Sequence, residues 1–287
     1  MRRELKALCS AIAGLAFIAW SPAKAADLYK APTAVAAAYN WSGCYVGANT
    51  GYDFGRFGDT VSGPGGILPI PGIGLVPFAG SSVGLAQGAT SAAAGLQGGC
   101  RWENPEHSVF GFEGDFDWTN LRGTATINAV NPPFPCTTGI CNGDTFTDRT
   151  HWESSARIVV GHSFGRWLVY GTGGYAVAQV TMAANFIPIT LSGVPFPGAA
   201  VSDTKLLNGG TIGMGAAYRI GSNWEIGAEY RFTSYSQTGA VFNLGNATPV
   251  CVANPFTPGA TCVNTTAAGS KSLDINQIRV KLNYRFD

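Results

Sequence analysis

Charge is the scarcest feature of this chain. Only 12% of its 287 residues are Asp, Glu, Lys or Arg, about half of the roughly 25% usual in soluble domains. The 18 basic and 17 acidic side chains nearly cancel. This excludes both a basic field for nucleic acid and an acidic tail. Histidine is rare, at three residues, and no C-x-x-C occurs, so neither a metal site nor a cofactor is expected. Long apolar runs are missing beyond the first 25 residues, since Gly, Pro or a charge interrupts each one. A spanning helix needs about 20 apolar residues. What the chain does have is glycine, at 39 residues, and 11% aromatics. With a mean hydropathy of +0.11, it is too apolar to stay disordered.

The N-terminus reads as a secretory signal peptide over residues 1–25. Arg2, Arg3 and Lys6 precede an apolar stretch from Leu8 to Trp20, and Ala23-Lys24-Ala25 forms an A-x-A cleavage site. The stretch is short for a membrane anchor. Cleavage removes Arg2, Arg3, Lys6 and Lys24 against Glu4, leaving 14 basic and 16 acidic side chains of the 18 and 17. Residues 26–40 then form an N-terminal arm, and residues 41–287 a single domain.

Thirteen of the 16 prolines cluster: Pro64, Pro69, Pro71 and Pro77; Pro132, Pro133 and Pro135; Pro188, Pro195 and Pro197; Pro249, Pro255 and Pro258. Proline cannot donate to a β-ladder, so the proline-free stretches are the strand candidates. They fall near 41–56, 85–103, 109–125, 148–164, 167–183, 204–220, 224–239 and 271–286. Short turns at 104–108, Gly165-Arg166 and Gly221-Ser222-Asn223 join them in pairs, and the proline clusters sit in the longer connections. Eight strands with long loops on one rim and tight turns on the other predict an all-β, antiparallel up-and-down transmembrane barrel.

Side-chain alternation agrees. Ile278, Val280, Leu282, Tyr284 and Phe286 oppose Arg279, Lys281, Asn283 and Arg285, a period of two that no amphipathic helix has. Trp224 to Phe232 and Phe110 to Trp118 repeat the pattern. A soluble lipid-binding barrel turns its apolar face inward, whereas a membrane barrel turns it outward. Two features favour the membrane form. Glycine crowds the polar face, and Trp102, Phe110, Trp167, Trp224, Tyr284 and Phe286 gather near the short-turn rim as an interfacial girdle. Eight strands leave room only for side chains inside. The lumen is therefore predicted to hold Glu113, Asp115, Asp117, Glu153, Glu225 and Glu229 against Arg101, Arg157, Arg231, Arg279, Lys281 and Arg285, paired and hydrated rather than open as a pore.

Five blocks resemble one family: Ala26-Asp27-Leu28-Tyr29-Lys30, WSGCYVGANTGY, VFGFEGDFDW, GRWLVYGTGGYA and INQIRVKLNYRF. They are similar to the alphaproteobacterial outer-membrane immunogenic proteins, a branch of the OmpA-like and opacity-type eight-stranded barrels. The resemblance implies an outer-membrane barrel with periplasmic termini and extracellular long loops. It implies outer-membrane lipid and lipopolysaccharide around it, assembly by the barrel-assembly machinery and a monomeric state. The implied role is in envelope integrity and surface antigenicity, with slight pore activity in some relatives. Some members are joined to peptidoglycan through an Ala-Asp start, which Ala26 and Asp27 match. The sequence departs from the family pattern in carrying six cysteines after cleavage and in ending on Asp287 after Phe286.

An even cysteine count in an exported chain suggests disulfides. The strand reading pairs Cys136 with Cys141 and Cys251 with Cys262 within loops, and Cys44 with Cys100 across neighbouring strands. Some small outer-membrane barrels are lipid A-modifying enzymes. Here simple alternation puts His151, Glu153 and Ser155 on one side, but no nucleophile motif such as G-x-S-x-G appears, so the expectation is a non-enzyme. The competing function is a small diffusion channel.

Overall fold

The computed structural model describes residues 39–63, 66–70, 74–78, 81–128, 136–137, 140–191, 194–196, 198–237, 250–253, 260–263 and 268–286. The proposed signal peptide, Ala26 and Asp27 lie outside them. Eight strands form the barrel: β1 (Gly43–Gly63), β2 (Ser81–Glu103), β3 (Ser108–Thr126), β4 (Thr145–Phe164), β5 (Trp167–Phe186), β6 (Ala199–Arg219), β7 (Trp224–Gln237) and β8 (Ala268–Phe286). Each pairs antiparallel with its chain neighbour, and β1 pairs with β8 to close the ring. Across the apolar part closure leaves no unpaired strand edge, the condition for crossing lipid with strands; toward the long-loop rim β2–β3 pairing stops at Ala93–Thr119 and β6–β7 pairing at Gly209–Tyr235. The fold is the expected eight-stranded up-and-down barrel.

Three tight turns and the ends Gly43 and Phe286 share one rim. Asn104 shapes the first turn, its Oδ1 accepting the Ser108 N–H at 2.8 Å and the Glu106 N–H at 3.1 Å. His107 and Gly165 take left-handed φ values of 64° and 62° to reverse the chain. At the other rim seven strand ends run beyond the expected limits, β1 to Gly63 rather than 56 and β6 from Ala199 rather than 204, whereas β7 stops at Gln237. Segments such as Thr60-Val61-Ser62 lack proline and go on pairing with β8 and β2. Short hairpins continue the long connections, among them Cys136–Thr137 with Ile140–Cys141 and Val250–Ala253 with Ala260–Val263.

One irregularity matters for function. Trp118 faces Trp152 and Leu121 faces Thr150, so Thr119 and Asn120 of β3 stand across from His151 alone. Against β5, His151 has no opposite number. This bulge reverses the side-chain parity of β4: Glu153, Ser155 and Arg157 point inward on one side of it, Thr150, Asp148 and Phe146 on the other. The expected common side for His151, Glu153 and Ser155 is therefore wrong. His151 lies on the outer wall, with Nε2 3.1 Å from Thr181 Oγ1, while Glu153 and Ser155 are buried in the lumen.

The two faces differ sharply. Ile278 is 53% exposed, while the next residue, Arg279, is 0% exposed. Near the short-turn rim the outer wall carries Trp102, Phe110, Trp167, Trp224, Tyr284 and Phe286. About eight residues further along the strands a second aromatic ring begins, with Tyr52, Phe54, Trp118, Tyr175 and Tyr230. Beyond it the outer wall turns polar, through Arg56, Asn120, Arg122, Arg149, Asp274 and Asn276. The apolar belt thus spans roughly nine residues per strand, the length a tilted strand needs to cross a bilayer.

A sealed ionic lumen as the candidate functional site

The inward face of β8 gives the order of the layers. From the short-turn rim it reads Arg285, Asn283, Lys281, Arg279, Gln277, Ile275, Leu273 and Lys271, all buried. Because side chains alternate strictly, every second residue presents its head to the lumen at a different height.

Lys281 lies 2.6 Å from Glu113 Oε1 and 2.5 Å from Glu229 Oε2. Arg157 reaches the same two carboxylates and also Asp115, at 2.6 Å. Arg231 contacts Asp115 at 3.0 Å, Asp117 at 3.6 Å and Glu229 at 3.2 Å. Arg279 holds Asp53 at 2.6 Å, Glu153 at 3.1 Å and Asp117 at 3.5 Å. Arg101 pairs with Glu225 at 2.9 Å and stacks over the Tyr45 ring at 4.1 Å. Tyr45, Tyr170 and Tyr235 donate hydroxyl hydrogen bonds to Glu113, Glu229 and Glu153. The network thus brings together Glu113, Asp115, Asp117, Glu153, Arg157, Glu225, Glu229, Arg231, Arg279 and Lys281.

Arg285 is the exception. Its guanidinium donates to the carbonyls of Asn40 and Ser42 and makes no ion pair among the described residues, because at the rim the backbone that leads into β1 lies within its reach. Sequence reasoning left Asp53 and Gln277 out of the network, although Gln277 shares parity with Arg279 on β8 and Asp53 falls on the polar face of β1. It also missed a separate cluster near the long-loop rim, where Lys271 contacts Asp148 and, at 3.2 Å, Asp59.

The lumen is not polar throughout, contrary to expectation. Between Lys271 and Gln277 lies an apolar layer that includes Phe57, Leu121, Leu207, Tyr235, Leu273 and Ile275. At the short-turn end Trp41, Val109, Val159, Leu168, Tyr170 and Ala217 form another. Trp41 is fully buried. Its backbone N–H donates to Glu103 Oε2 at 2.6 Å, its indole to the Gly165 carbonyl at 3.2 Å. The ionic layers are therefore capped at both ends.

Cys44 and Cys100 are disulfide-bonded across β1 and β2, 56 residues apart in the chain. Strand register sets Cys136 opposite Cys141 and Cys251 opposite Cys262; those four side chains lie outside the described residues.

A buried ionic interior under an apolar outer belt is the arrangement of a lipid-embedded barrel. The model of the outer membrane protein beta-barrel domain matches residues 25–286. The chain belongs to that family. It is 27% identical over 292 residues to the 31 kDa outer-membrane immunogenic protein of Brucella melitensis, covering 96% of this chain and 98% of that one. Among solved structures it is similar to Ail of Yersinia pestis, with 11% identity, a TM-score of 0.30 and coverage of 85% and 99% of the two chains. It is also similar to the outer membrane protease OmpT of Escherichia coli, with 12% identity, a TM-score of 0.40 and coverage of 84% and 97%. As an outer membrane β-barrel, the chain turns its apolar belt toward lipid and its charges inward, not the reverse.

Removing one partner of a buried ion pair strands the other. Arg279→Ala leaves Asp53 and Glu153 without their shared cation, and should lower stability by about 3–5 kcal/mol. Arg285→Ala frees only backbone carbonyls and should cost about half as much, near the value of a charged hydrogen bond. Urea unfolding in micelles, followed by tryptophan fluorescence, measures both; equal losses would contradict the layered account.

Proposed function

We propose that this chain is a closed, surface-displayed outer-membrane barrel whose role is structural and antigenic, without catalysis and without a steady pore. The observation that carries this reading is the capping of the ionic lumen by two apolar layers, Trp41 with Val159 and Leu168 at one end and Phe57 with Leu121 and Leu273 at the other. A hydrated ion meets buried, ion-paired charges and then packed side chains. The bulge at His151 supports the non-enzymatic reading, since it separates that imidazole from Glu153 and Ser155.

The proposed orientation sets both termini in the periplasm and the four long connections outside. Support comes from the position of the belt. It abuts the short-turn rim, so the strands project from the membrane only on the long-loop side. The segment before β1, pinned at Trp41 by Glu103 and at Asn40 by Arg285, then meets the rim on the side where peptidoglycan lies. On this reading Ala26 carries the attachment. A muropeptide digest is expected to yield a fragment linked to Ala26, and its absence removes the tether while leaving the barrel reading intact.

In a planar bilayer the purified protein should show no steady conductance above that of the bare membrane. Regular stepwise openings would replace this reading with the diffusion channel.

A further inference from the structure

Just beyond the second aromatic ring, Arg122 of β3 stands directly opposite Arg149 of β4. Both are exposed on the outer wall. Directly opposed side chains on antiparallel strands have β-carbons about 4.5–5.5 Å apart, and like charges there are destabilising. No carboxylate relieves them. Among the described residues no Asp or Glu points outward from β2, β3, β4 or β5. Arg149 donates from Nε to Asn120 Oδ1 at 2.7 Å, and Arg122 has no polar partner among the described residues. The bulge at His151 produces the juxtaposition, for a strand alternating regularly through His151 would put Arg149 on the lumen side with Glu153.

The neighbours give the pair its context. Trp118 and Trp152 lie across from each other on the belt side, with Phe116 stacked on Trp152 at a centroid distance of 5.3 Å. Such rings sit at headgroup level. The two arginines therefore stand at the edge of the belt, next along the strands from these rings, with the amide of Asn120 on Arg149.

We propose that Arg122 and Arg149 form a binding site for the phosphate monoester of a phosphorylated glycolipid headgroup in the surrounding leaflet. A phosphate monoester carries about −1.5 to −2 charges at neutral pH, which matches two guanidiniums, whereas a phospholipid diester carries one. Guanidinium forks bind such oxygens with two parallel hydrogen bonds each. Asn120 offers a polar contact for a sugar hydroxyl. The inference extends the outer-membrane reading to a specific lipid and rests on it.

The test compares the full-length barrel with Arg122→Gln/Arg149→Gln in micelles, using native mass spectrometry to count retained lipid. The probes are lipid A bearing monoester phosphates, the same lipid dephosphorylated, and phosphatidylglycerol. The unaltered chain should retain phosphorylated lipid A at least about tenfold better than the double variant, as charge-assisted bonds of this strength imply, and better than the other two lipids. Equal retention by both proteins, or equal retention of all three lipids, would overturn the proposal. So would displacement of lipid A by millimolar inorganic phosphate, which would mark a free-anion site. Faster migration of the unboiled protein on a gel checks folding separately, and its loss in both proteins would count against the barrel itself. Should only the double variant fail to fold, Arg122→Gln, which leaves the Arg149–Asn120 bond in place, carries the same comparison.

Discussion

Lys281 and Arg279 on β8 set the terms for the rest of this molecule. Closing eight strands into a ring satisfies the backbone but leaves an interior only as wide as the side chains that fill it. A cation enclosed there costs several kcal/mol unless it is paired and hydrogen-bonded. Glu113 on β3, Glu153 on β4, Glu229 on β7 and Asp53 on β1 must therefore arrive at the right heights. A slip of one residue in any of these strands would send its charges into lipid and its aromatics into the lumen. The ion pairs thus specify register as well as occupying space.

The same wall changes character along its length. Beside the ionic layers the outside is apolar. Beside Phe57, Leu121, Tyr235 and Leu273 the outside is polar, with Arg56, Asn120, Ser234 and Asp274. The barrel is inverted within the membrane and arranged like a soluble barrel beyond it. One sheet thereby crosses lipid, seals itself with a packed layer and carries its long-loop rim clear of the apolar belt. The structural and antigenic role proposed above rests on that arrangement.

Much of this was legible in the sequence, and the gaps have physical causes. The alternation from Ile278 to Phe286 gave β8 its faces, and proline gave the loops. The reversal of polarity was also written there: Leu273 and Ile275 share parity with Arg279, while Asp274 and Asn276 share parity with Ile278. It passed unread because the alternation was judged on the apolar belt alone. The bulge at His151 was not legible, since an extra residue leaves the local pattern of Thr150-His151-Trp152 unremarkable and shows only in the pairing with β3 and β5. Arg285 looked like its neighbours Lys281 and Arg279 because periodicity reports direction and not what lies within reach. The capping role of Trp41 depends on where the segment before β1 folds back, which no periodicity encodes.

The central claim is that lipid covers the part of the barrel around the ionic layers that lie between the two apolar caps, and not the wall around the Lys271 cluster. Spin labels on the outer face of β8 test it directly, placed singly at Ile278→Cys, Leu282→Cys, Asn276→Cys and Ser272→Cys in a chain whose Cys136, Cys141, Cys251 and Cys262 are serine. In vesicles the account predicts high oxygen and low nickel-chelate collision rates at 278 and 282, reversing at 272, with 276 at the boundary. Lipid-like accessibility continuing to 272, or water-like accessibility at 282, would contradict it.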